Sequence, residues 1–99
     1  MQYQSTRDKT QKVSASRAIL QGLSAEGGLF VPEQLPKFSE QHLEKMVSQD
    51  YIRRAQKILE EFLSDFSNEE IESCLKGAYD AKKFSGSQIA PLSKLGENA

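Results

Sequence analysis

Apolar residues recur along this chain with two different spacings, and the change from one to the other sets out its elements. After Ser14, the positions Ala15, Ala18, Ile19 and Gly22 repeat at helical spacing, which predicts a short helix with one small, apolar side. Gly22 is placed to end it, with Leu23 folding back on Ala18 as the apolar contact of a Schellman-type stop. Gly27-Gly28 then reverses the chain. Leu29-Phe30-Val31 has no helical period, carries aromatic and β-branched residues between the glycines and Pro32, and reads as a short buried strand. Ahead of all this, Tyr3-Gln4-Ser5-Thr6 has the propensity of an edge strand, and Asp8 to Lys12 reads as a loop.

Beyond Pro32 the pattern turns helical. Pro32 and Pro36 bracket a connector that cannot be helical throughout, because each ring holds the preceding residue extended, and Leu35 and Phe38 are placed to pin it. Ser39 is the expected cap of a second helix with Glu40 in its first turn and a narrow stripe of Leu43, Met46 and Val47. Asp50 caps a third, with Ile52, Ala55, Ile58, Leu59 and Phe62 on one side. The fourth has the clearest start: Ser67 and Glu70 form a capping box, with Phe66 and Ile71 as a staple across it. Ile71, Cys74, Leu75, Ala78 and Tyr79 then follow the full helical repeat, and Lys82 and Lys83 suit its carboxyl end. Ser85-Gly86-Ser87 reads as a turn and Ile89-Ala90-Pro91-Leu92 as a last short strand, with Pro91 at an edge or an end. These elements predict one α+β domain over residues 1–99, predominantly helical, of about four helices and a small sheet. Its strands come from near both ends of the chain, so Met1 and Ala99 are expected to lie close together.

Composition narrows the class. Ninety-nine residues have room for one modest core, and 37% apolar with 27% charged residues is an ordinary globular balance. A formal charge of -1 offers no basic footprint for nucleic acid. No apolar run approaches the roughly 20 residues of a membrane span, so the expected setting is cytoplasmic and without membrane contact. The lone Cys74 agrees with a reducing compartment.

Candidate chemistry is sparse. His42 is the sole histidine and has no second ligand at metal spacing, so it reads as a solvated side chain. Cys74 falls within an apolar stripe and reads as core. The pairs Glu60-Glu61 and Glu69-Glu70 point in different directions on a helix and read as solvated charge. Gly27-Gly28 offers backbone amides to an anion, but it enters a strand, not a helix, and a structural turn is the favoured reading. In Ser5-Thr6-Arg7 a guanidinium flanked by two hydroxyls suits a phosphate or carboxylate, against the favoured alternative of an internal hydrogen-bond role.

These same residues carry a resemblance. Tyr3, Ser5-Thr6-Arg7, Ala18-Ile19-Leu20 with Gly22-Leu23, Gly27-Gly28-Leu29-Phe30-Val31-Pro32 and Leu35-Pro36 stand in the order and spacing of the threonine synthase amino-terminal domain. Ala55, Ala78-Tyr79 and Ile89-Ala90-Pro91-Leu92 fall where its later elements belong. This chain departs from the pattern in having Glu26 where Asp is usual and Asp8 where a small residue is usual.

The resemblance implies a parent enzyme dependent on pyridoxal phosphate that converts O-phospho-L-homoserine and water to L-threonine and phosphate. In that family the Schiff-base lysine follows this domain, in a His-Gly-Pro-Thr then Phe-Lys-Asp context, and no lysine here has those neighbours. The resemblance therefore implies an inert amino-terminal piece with no catalytic or cofactor-binding residue of its own. Its partner is the catalytic domain of the same chain, and Thr6, Arg7, Gly27 and Gly28 are the candidates to border the substrate. An exposed apolar patch is the expected mark of that interface. The alternatives are a free-standing helical interaction module, or the same domain on a threonine synthase-like phospho-lyase with a different substrate.

Overall fold

The computed structural model describes residues 1–80, 82 and 89–97. Three strands and four helices follow one another as β1 (Tyr3–Ser5), β2 (Lys12–Val13), α1 (Ala15–Gln21), β3 (Phe30–Pro32), α2 (Glu40–Val47), α3 (Tyr51–Phe62) and α4 (Asn68–Ala78). The α+β class and the four helices are as the sequence predicts. No helix among the described residues is long and apolar enough to cross a membrane.

The sheet is antiparallel in the order β2-β1-β3, with Tyr3 opposite Val13 and Pro32, and Ser5 opposite Phe30. Strand alternation therefore puts Tyr3, Ser5, Val13, Phe30 and Pro32 on one face and Gln4, Lys12 and Val31 on the other. Pro32 is tolerated because β3 is an edge strand. All three strands come from the first third of the chain, which corrects the expectation of a sheet closed by both ends. Ile89 to Leu92 forms no strand. Ala90 turns through a left-handed φ of 47°, Pro91 has no N–H to donate, and Leu92 lies fully in solvent. Lys83 and the Ser85-Gly86-Ser87 turn lie outside the described residues, as does Ala99, on which the closeness to Met1 depended.

β2 replaces part of the expected Asp8–Lys12 loop. Asp8 Oδ1 accepts from Thr10 N at 3.0 Å and from Thr10 Oγ1 at 2.6 Å, closing an Asx-type turn so tightly that Lys12 is already back beside β1. At the end of α1, Gly22 N–H donates to Ala18 O at 2.9 Å, but Leu23 N–H turns back only as far as Gln21 O at 3.1 Å. With φ 78° and ψ -84° at Gly22 this is a γ-turn, not a Schellman stop. Leu23 forms an isolated antiparallel bridge with Leu29, which closes the Ser24–Gly28 turn between them.

Each helix opens on a side-chain cap. Ser14, Ser39, Asp50 and Ser67 accept from Arg17 N, His42 N, Arg53 N and Glu70 N, and the Glu70 side chain returns the bond to Ser67 N–H at 2.9 Å. The apolar stripes are covered unevenly. α4 packs on α3 through the buried Ile71 and Leu75, whereas α2 buries no residue at all. Cys74 is exposed, correcting its expected place in the core. At 100° per residue it lies about 60° round the helix from Ile71 on the side away from Leu75, off the line of contact. Ala78, at the last turn, is also exposed.

Polar bonds join the sheet to the helices. Tyr3 Oη donates to Phe62 O at 2.7 Å, the terminal ammonium of Met1 donates to Ser64 Oγ at 2.7 Å, and Ser16 N–H donates to Asp65 Oδ2 at 3.0 Å. The end of α3 and the chain between α3 and α4 thus receive three separate parts of the first 16 residues.

Candidate functional site

The turn at Ser24–Gly28 is where the sequence-predicted residues meet. Gly27 N–H donates to Ser24 O and Ser24 N–H donates to Gly28 O, both at 2.9 Å, so the turn closes on its own backbone. Gly27 has a φ of 84°, which only glycine adopts without strain. Gly28 is required for space. A Cβ there would lie 2.3 Å from Ser5 Oγ, 3.0 Å from Ser24 Oγ and 3.2 Å from Arg7 N.

Those hydroxyls form the buried centre of the site. Ser5 and Ser24 are 1% and 5% exposed, their oxygens stand 2.9 Å apart, and both reach the Glu26 carboxylate. Donation first from Ser24 and then from Ser5 lowers the Glu26 pKa, so the carboxylate stays ionised where it accepts them. Around this centre, Arg7 N–H donates to Ser5 Oγ at 3.1 Å and Arg7 Nη1 to Glu26 O at 2.8 Å. Thr6 N–H donates to Leu29 O at 2.8 Å, and Thr6 Oγ1 accepts from Leu29 N–H at 3.0 Å.

Thr6, Arg7, Gly27 and Gly28 are therefore brought together, and each has an internal structural use. Gly27 N–H is already bonded within the turn. Arg7 is exposed and holds the turn through Nη1 alone, which leaves the rest of its guanidinium facing outward. The residues that sequence reasoning passed over are Ser24 and Asp65. Ser24-Ala25-Glu26-Gly27 has the signature of a β-turn with glycine last, which was the available signal. Asp65, whose pKa is lowered chiefly by the Ser16 hydroxyl, gave none, because its partner is far away in sequence. His42 is exposed on α2, and among the described residues no group of three side chains is placed to hold a metal.

Pyridoxal phosphate is held through a lysine and a phosphate seat at a helix start, and at the four starts described Ser14, Ser39, Asp50 and Ser67 each accept one backbone N–H.

Apolar surface flanks the turn. Ile19, Leu20, Leu23, Leu29 and Val31 are 64, 82, 57, 59 and 38% exposed, and all lie between the end of α1 and β3. At this turn the serines are buried while the neighbouring leucines are exposed, which leaves apolar area free to lie against another surface.

Residues 2–79 match the family described as Threonine synthase N terminus. Threonine synthase of Escherichia coli (strain K12) is 37% identical over 71 residues, which are 72% of this chain and 17% of that protein. Threonine synthase-like 1 of Macaca fascicularis is 38% identical over 98 residues, 93% of this chain and 13% of that one. The crystal structure of the Escherichia coli threonine synthase superposes with a TM-score of 0.81 at 30% identity, over 98% of this chain and 21% of that one. The chain belongs to the threonine synthase N-terminal domain family. It spans between 13% and 21% of the length of these relatives.

Proposed function

We propose that this domain is the amino-terminal part of a cytoplasmic threonine synthase, a lyase that uses pyridoxal phosphate to convert O-phospho-L-homoserine and water to L-threonine and phosphate. The observation that carries this reading is the structural match, which extends over 98% of the chain. The bare surface at Ile19, Leu20, Leu23, Leu29 and Val31 supports it, since that is the area a catalytic domain would cover. The domain's own task is then mechanical. The Ser5–Ser24–Glu26 centre fixes the Gly27-Gly28 turn, the turn presents Thr6 and Arg7, and the Arg7 guanidinium borders the opening through which a phosphorylated substrate passes. The lysine and phosphate seat for the cofactor belong to the catalytic domain.

The test is turnover. The intact protein carrying this domain, supplied with pyridoxal phosphate and O-phospho-L-homoserine, should release phosphate and L-threonine in equal amounts. Phosphate release without threonine would favour a second reading, a threonine synthase-like phospho-lyase. That reading draws on the comparable identity to the two kinds of relative, 37% and 38%. No phosphate release at all would reject both.

A further inference from the structure

A second site lies away from the turn, between α2 and α3. The two helices are joined at Ser48–Asp50, and Arg54 holds the joint by donating from Nε to Met46 O at 2.7 Å and from Nη2 to Val47 O at 2.9 Å. Beyond the joint they part, leaving a cavity of about 180 Å³ bounded also by the connector at Lys37 and Phe38.

Its lining combines three chemistries. Phe38 and Met46, both half-buried, give it an apolar surface. Lys37 and Lys45 stand on the connector and α2, while Glu60 and Glu61 stand on α3. Lys57 and His42 complete the charged and polar lining. None of these charges is neutralised by another, since the ion pairs among the described residues are Lys12–Glu33 and Lys76–Glu72. Gln49, also in the wall, has a side-chain oxygen shielded from solvent and without a donor. Buried acceptors of that kind are ordinarily satisfied. The oxygen is out of reach of solvent, so it serves a ligand only by turning into the cavity, and a donor there would satisfy it.

A simple anion entering here meets two carboxylates, and a simple amine meets the lysines. A zwitterion answers both. The volume is well below the roughly 300 Å³ at which sites for drug-sized ligands begin, which points to a small molecule. We propose that the cavity binds a free aliphatic α-amino acid. Its carboxylate faces Lys37 and Lys45, its ammonium faces Glu60, Glu61 and the Gln49 amide, and its side chain rests on Phe38 and Met46. This site is independent of the function proposed above.

In the intact protein carrying this domain, methyl-labelled NMR reads the cavity at Met46, whose signal is identified by its loss in Met46→Leu, with Met1 as the control. Titration with L-norvaline should move the Met46 methyl signal saturably in the millimolar range and leave Met1 in place. Pentanoate, butylamine and glycine, each lacking one of the three groups, should bind at least about tenfold more weakly. Lys37→Ala and Glu61→Ala, both at exposed positions, should each raise the norvaline midpoint by about fivefold, and Lys9→Ala should leave it unchanged. A silent Met46, an equal response to pentanoate or butylamine, or a norvaline midpoint indifferent to both cavity substitutions would overturn the proposal.

Discussion

Around the Gly27-Gly28 turn the buried side chains are hydroxyls, Ser5 and Ser24, whereas along the contact of α4 with α3 they are Ile71 and Leu75. The first region is held by directed bonds at short range and needs each atom in its place. The second is held by apolar area, which cares about volume more than direction. The contrast shows why a chain with so small a core keeps a defined shape. Its geometry is specified by the polar turn, and much of its cohesion comes from one helix pair.

The largest effect is expected where volume matters. Leu75→Ala should cost about 2–5 kcal/mol in denaturant unfolding, and Leu75→Met less than about 1.5. Equal costs for the two would mean the helix pair is not held by packing. Gly28→Ala comes next, at about 1–3 kcal/mol, because its new Cβ meets Ser5 Oγ and the Arg7 backbone. Combining it with Ser5→Gly should be less damaging than the sum, and strict additivity would show that the turn is looser than described. Ser67→Ala removes one half of the capping box and should lower stability by about 1 kcal/mol, whereas Ser39→Ala, on the uncovered α2, should lower it less.

Acid should produce the smallest change and separate the two regions. Hydrogen bonds depress the pKa of Glu26, mainly from Ser24, and of Asp65, mainly from Ser16. A carboxylate with a lowered folded pKa stabilises above its ordinary value, here 4.5 and 3.8, and that contribution is lost as pH falls through the folded value. Glu26→Gln should therefore flatten the acid response of hydrogen exchange at the Ser24–Gly28 turn and leave the acid response at Ile71 and Leu75 as it was. A change at both would join the regions that the contrast keeps apart.

Local signals were readable at the helix starts. The caps at Ser39, Asp50 and Ser67 each involve atoms within one helical turn, and all three are found. So is the strand that follows Gly27-Gly28, but it begins one residue later than its apolar run suggested and is not buried as expected, since Val31 is exposed and Phe30 and Pro32 are only half-buried. What sequence could not show depends on distance. β2 has only two residues and exists because the Asp8–Thr10 turn closes tightly. The Ile89–Leu92 strand had propensity, but the left-handed Ala90 interrupts its extended run. Helical periodicity placed Cys74, Leu43 and Val47 on apolar faces, but periodicity does not say whether anything lies opposite, and all three are exposed. At the turn, Thr6, Arg7, Gly27 and Gly28 were legible as a set. Ser24, which organises them, carried only the general signature of a turn, because its partner Ser5 is 19 residues away.

The bare surface running from α1 to β3 is where we propose that the catalytic domain docks. Leu23 is 57% exposed and its bridge with Leu29 is made by backbone atoms, so Leu23→Glu should change the unfolding of this domain little. The direct measurement is O-phospho-L-homoserine turnover by the intact protein with and without that substitution. The account predicts a fall of about tenfold or more with the domain still folded, because a carboxylate would be forced into a dry interface. Undiminished turnover would contradict it.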